Sequence, residues 1–126
     1  DLSGNNAASA FDIMSGAADH PSNAARRDNY AKKLTAMSGG KVTVEGGVVY
    51  VNKKKLLTPA AASGMSSAER AYFVMGNLAA AYKNGHATAD AYVNGSTVML
   101  GAQPIMSCTG NDAAPSEIAA LLNQIK

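Results

Sequence analysis

The chain reads as an α+β domain in which a small antiparallel sheet, built from two hairpins, packs against a central helix flanked by N-terminal and C-terminal helices. Three observations carry that reading. Residues 66–85, SSAERAYFVMGNLAAAYKNG, combine a helical apolar stripe with a start and a stop signal. Residues 42–51 and 91–100 each hold two short β-type runs divided by a glycine-containing turn. The last dozen residues carry a further apolar stripe behind Pro115.

The N-terminal stretch, residues 1–20, is polar and rich in Ala, Ser and Asn, with Leu2, Phe11, Ile13 and Met14 as its sizeable apolar groups. It reads as an arm or a short helix around residues 7–18, outside a single α+β domain of residues 21–126. Pro21 sets a boundary on His20. Ser22 then caps a helix through Ala24, Ala25, Tyr30, Ala31, Leu34 and Met37, closed by Gly39 and Gly40. From Lys41 the period changes from helical to alternating. Val42 to Val44, a Glu45-Gly46-Gly47 turn and Val48 to Val51 form the first hairpin, and Lys53, Lys54 and Lys55 read as a solvated second turn before a strand at Leu56 and Leu57.

The central helix starts at Ser66, whose spacing to Glu69 is that of a capping box. Ala71, Val74, Met75, Leu78, Ala79 and Tyr82 lie along one face, and Asn84-Gly85 supplies a left-handed stop. Next come Ala91, Tyr92 and Val93, an Asn94-Gly95 turn, and Val98 to Leu100. An edge strand opening at Pro104 follows. The final helix has Pro115 in its first turn and Ile118, Leu121, Leu122 and Ile125 on its buried stripe. Tyr50-Val51-Asn52 and Tyr92-Val93-Asn94 each precede a turn, so each half reads as hairpin then helix. Val49, Val51, Leu56, Val93, Val98 and Leu100 belong near the core.

Composition bounds the function. At 126 residues the chain suits one core, which must be small because much of its 47% hydrophobic content is alanine, with two Phe and no Trp. Charged residues, at 16%, fall well below the roughly 25% of an average domain. That surface is usual in secreted or assembled proteins. A net charge of +2 is too mild for a nucleic-acid footprint, and no apolar run reaches the length of a membrane span. The opening Asp1-Leu2-Ser3-Gly4, without Met, reads as a processed start.

The order Val48-Val49-Tyr50-Val51-Asn52-Lys53, Leu56-Leu57, Gly64, Ser67-Ala68-Glu69-Arg70-Ala71, Val98-Met99-Leu100, Ile105-Met106 and Asp112-Ala113 resembles small extracytoplasmic α+β modules of bacterial secreted proteins and of the periplasmic regions of mechanosensitive channels. It covers residues 48–126 only. The resemblance implies a secreted, periplasmic or cell-surface location and a binding, sensing or assembly role. It carries no catalytic residues.

Candidate chemistry is sparse. Cys108 is the single cysteine, so neither an internal disulfide nor a multi-cysteine metal site can form, and no cofactor is expected. A thiol-dependent hydrolase or transferase would pair Cys108 with His20 and Asp19, or with His86 and Asp90. A lone cysteine after an apolar run is more often a buried small hydrophobe. The acids each have a local use: Glu45 in a turn, Glu69 in a cap, Asp112 in a loop or cap and Glu117 at a helix start. The leading reading is therefore a non-enzymatic binding or self-assembly module, a surface or extracellular structural subunit whose partner is another protein or copies of itself in an oligomer or filament. Lys53, Lys54, Lys55, Tyr50 and Tyr92 are its candidate binding residues. An inhibitor or immunity-type protein would look the same.

Overall fold

A computed structural model describes residues 24–62 and 64–126. The element order is α1 (Ala24–Met37), β1 (Val42–Glu45), β2 (Val48–Val51), β3 (Lys54–Leu57), α2 (Ser67–Lys83), β4 (Ala91–Asn94), β5 (Thr97–Leu100), β6 (Gln103–Ser107) and α3 (Pro115–Ile125). The α+β class and the order of helices and hairpins are those expected. The arm of residues 1–20, with the suggested helix at 7–18, and the Ser22 cap lie outside the described residues.

The start of α2 and the ends of α1 and α2 have identifiable causes. At α2 the Ser66 hydroxyl accepts the Glu69 amide at 3.1 Å while the Glu69 carboxylate accepts the Ser66 amide at 2.8 Å, the reciprocal capping box. The helix ends in a Schellman motif: the His86 amide donates to Ala81 at 2.8 Å and the Gly85 amide to Tyr82 at 3.3 Å, with Gly85 at φ +82°. Gly40 and Gly39 close α1 in the same way, on Thr35 at 2.8 Å and Ala36 at 3.0 Å.

The strands form two antiparallel three-stranded meanders, β1-β2-β3 and β4-β5-β6, rather than one joined sheet. Every pair of the first meander has its counterpart in the second. Val42 pairs with Val51 as Ala91 pairs with Leu100, Tyr50 with Lys55 as Met99 with Pro104, and a bulge falls at Val49/Tyr50 and again at Val98/Met99. A constant shift of 49 residues therefore superposes one meander's pairing on the other's. Only Val44/Val93, Gly46/Gly95 and Val49/Val98 are identical across the pairs of strands and their turns at that shift. Tyr50 and Tyr92, matched in the sequence by their Tyr-Val-Asn triplets, are not equivalent: Tyr50 lies in β2 and Tyr92 in β4. The triplets mark different turns, which puts that sequence match out of phase.

Turn boundaries also differ by a residue or two from the sequence reading. Asn52-Lys53 alone makes the second turn, so Lys54 and Lys55 belong to β3, and Gly95-Ser96, not Asn94-Gly95, joins β4 to β5. A two-residue loop is the commonest hairpin connection, and it lets the ladder start immediately on either side.

The helices interleave the meanders. Helix α2 packs on β1, β2 and β6, whereas α3 packs on β4, β5 and β3, an approximate two-fold exchange in which each helix serves the meander before it and the third strand of the other. Helix α1 adds to α2 and β1. This third neighbour explains why α2 buries more than a single stripe: Gly76, Ala80 and Ala81 are buried along with Ala71, Val74, Met75, Leu78 and Ala79. Tyr82, expected on that stripe, is half-buried, and burial pushes its phenol pKa up. One core joins Leu34, Val49, Val51, Leu56, Met75, Leu78, Val98, Leu100, Ile105 and Leu122. Val93 packs against it only in part.

Candidate functional site

The first meander carries an open groove of about 730 Å³ between α1 and the outer face of β1 and β2. Alternation along β1 and β2 turns Val42, Val49 and Val51 to the core and leaves Thr43 and Tyr50 on the other side. Ala31 and Ala36 of α1 and Val44 of β1 give the groove apolar walls, and Lys32, Glu45, Tyr50 and Lys53 stand around it. The Asn52-Lys53 turn has φ +53° and +68°, the mirror-type turn that matches strand twist. A lysine in the left-handed region costs about 1 kcal/mol that glycine would not. The Asn52 side chain steadies the turn by donating to the Ile125 carbonyl at the end of α3, at 2.8 Å.

Of the predicted binding residues, the fold brings Tyr50 and Lys53 to this groove. Lys54 and Lys55 are exposed on β3. Tyr92 stands apart on the second meander, 46% exposed, with its hydroxyl donating to the Gly101 carbonyl at 3.0 Å. It does not share a platform with Tyr50.

The polar centre of the molecule gathers around Asp112, which local sequence alone places in a loop or cap. Arg70, in the first turn of α2, is 2.9 Å from Asp112. The Asp112 carboxylate also accepts the Ala60 amide at 2.7 Å, the Thr109 amide at 2.8 Å and the Thr109 hydroxyl at 3.1 Å. Arg70 donates further to the carbonyls of Ala60 and Ser107. Burial alone would push the Asp112 carboxyl up. The hydrogen bonds from Arg70, Ala60 and Thr109 outweigh it and hold the group well below the usual carboxylate range. The cluster ties the connector between the halves, the start of α2, the end of β6 and the loop before α3 together. With every oxygen of Asp112 engaged, it works as a clasp rather than as an acid or base.

A smaller cavity of about 310 Å³ lies beside the clasp, lined by Met65, Phe73, Val74, Met106 and Cys108 among others. Burial pushes the Cys108 thiol up and the Asp112 carboxylate adds to that, with Arg70 opposing. Of the two histidines expected to activate it, the described one is not brought to it. His20 is outside the described residues, and His86 lies against Gly101 in the β5–β6 turn, at the opposite end of the hairpin from Cys108. Five residues of β6, at about 3.3 Å each, put roughly 15 Å between those ends.

Among the described residues no group of three or more His, Cys, Asp and Glu is placed to hold a metal ion, and no helix is long and apolar enough to cross a membrane. Comparison with known proteins finds no matching family model, no matching curated protein and no matching solved structure.

Charge is distributed unevenly along the sequence. Residues 24–62 hold eight of the 11 basic residues (Arg26, Arg27, Lys32, Lys33, Lys41, Lys53, Lys54, Lys55) and two acids (Asp28, Glu45), a net +6. Residues 1–23 hold Asp1, Asp12 and Asp19 and no basic residue, a net −3. The whole-chain value of +2 hides this contrast, which summing charge by segment reveals.

Proposed function

We propose that the chain is a non-enzymatic extracytoplasmic module that binds protein, foremost further copies of itself, through the face made by α1 and the first meander. The observation that carries the reading is the groove between them. It offers apolar walls with a tyrosine and two lysines around it, the composition of a surface that takes a peptide segment. Lys53 is held there in a backbone conformation that lysine ordinarily avoids, and strain of that kind concentrates at binding sites. The Arg70–Asp112 pair, by contrast, is engaged in closing the fold. A low charge content and the likeness of residues 48–126 to extracytoplasmic modules support the location.

Light scattering of the purified chain over a wide concentration range tests the reading. The mass should rise with concentration, and Tyr50→Ala with Lys53→Glu should weaken association at least tenfold while circular dichroism stays unchanged. A chain that remains monomeric at every concentration removes the self-assembly form of the proposal.

A further inference from the structure

Antiparallel pairing fixes which backbone groups of an edge strand point away from its neighbour. The two meanders have four such edges, and the 49-residue equivalence allows them to be compared position by position. At β1 the outward amide of Val42 donates to the Ser38 hydroxyl at 2.9 Å, and its carbonyl accepts the Thr35 hydroxyl at 2.9 Å. At the equivalent Ala91 of β4 both groups are engaged by the Asn123 side chain, at 2.8 and 2.9 Å. Edge β6 is blocked at three of its carbonyls and at one position without an amide hydrogen. Pro104 has no amide hydrogen and its carbonyl accepts the Gln103 side chain at 3.0 Å; the Ile105 carbonyl accepts Asn77 at 2.9 Å and the Ser107 carbonyl accepts Arg70 at 3.1 Å.

Edge β3 is the counterpart of β6 and lacks these devices. Lys54, Lys55, Leu56 and Thr58 stand where Gln103, Pro104, Ile105 and Ser107 stand in β6. Among the described residues no side chain engages the outward backbone of this stretch. Lys54, Lys55 and Thr58 are exposed.

Resting on the self-assembly reading above, we infer that β3 is the acceptor edge of the assembly and that its occupant is the segment of residues 1–20 of a second copy. Charge selects that occupant. Lys53, Lys54 and Lys55 flank or form the edge, and the segment carries Asp1, Asp12 and Asp19 with no basic residue. Lysines on an exposed edge discourage pairing with neutral or basic strands. They favour an acidic one. Strand alternation places Phe11 and Ile13 on one side of such a segment and Asp12 on the other. Main-chain hydrogen bonds supply the affinity of strand addition and the alternating side chains its selectivity. Twenty extended residues reach about 65 Å, enough to bridge to a neighbouring molecule.

Three variants of the full chain test this by sedimentation velocity, with circular dichroism as the control for folding. Lys55→Pro copies the block found at Pro104 and should reduce association at least tenfold, as should Asp12→Lys. Combining Asp12→Lys with Lys54→Glu should restore it, and that charge swap keeps the test decisive if the proline variant fails to fold. A synthetic peptide of residues 1–20 in excess should dissociate the wild-type oligomer. Wild-type association by Lys55→Pro overturns the β3 assignment while leaving the proposed self-assembly intact, whereas a wild-type chain that never associates overturns both. Dissociation by a single-stranded DNA oligomer but not by the peptide would show a polyanion site instead of an arm site.

Discussion

Asp112 is a carboxylate held by four hydrogen bonds from Arg70, Ala60 and Thr109, and its position dictates how the protein responds to acid. Because the folded state depresses its pKa, the unfolded chain takes up the proton first. The stabilisation is fully present above the unfolded carboxyl's range and is lost as pH falls from about 5 towards 2. Urea denaturation at pH 7, 4 and 2.5 should show that decline, and Asp112→Asn should flatten it while costing about 3 kcal/mol at pH 7, since Arg70 loses its buried partner. Cys108 responds in the opposite direction. With its thiol pushed up, labelling at neutral pH should be slower than for a free thiol, and the midpoint of its rate against pH should lie above the ordinary value. Half of the clasp was legible: Thr109-x-x-Asp112 has the spacing of a local side-chain-to-backbone capture. Its pairing with Arg70, 42 residues away, was not.

At the scale of elements, local chemistry decides the turns. Lys53→Gly should stabilise the domain by about 1 kcal/mol because glycine adopts φ +68° without steric cost, yet the same change removes a cation from the groove and should weaken association. Gly101 is the sharper constraint. It sits at φ +59°, and a Cβ there would come within 2.9 Å of His86 Nδ1 and 3.0 Å of Ala89 Cβ. Gly101→Ala should therefore cost about 3 kcal/mol, read as a lowered denaturation midpoint. These elements were largely legible, since capping boxes, Schellman glycines and β-branched runs act over a few residues. Their exact turns were not. Asn94-Gly95 and the lysine run attract a turn assignment equally well one residue along, and only the pairing partner across the ladder fixes the register.

The whole molecule is held by its interleaving. Helix α2 covers β1 and β2 but also β6, and α3 covers β4 and β5 but also β3, so neither half encloses its own apolar surface. Unfolding should be a single calorimetric transition with equal calorimetric and van't Hoff enthalpies, and separate peptides of residues 24–62 and 64–126 should show little ordered structure by circular dichroism. A stable isolated half would contradict the exchange. The division into two meanders has the same origin. Side chains from the helices occupy outward backbone groups at Val42, Ala91, Ile105 and Ser107, which opposes the joining of those edges into one sheet.

By itself the sequence determined the class of fold, the start and end of α2, the hairpins and most of the core, because each rests on interactions between residues close along the chain. Tertiary structure alone decided that the repeat runs at 49 residues, that Tyr50 and Tyr92 face different surroundings, and that Arg70 and Asp112 meet. The physical reason is one of range. Capping, periodicity and turn geometry are local, whereas the partners of an edge strand, a buried carboxylate or an aromatic ring are chosen by how the helices cross the sheets.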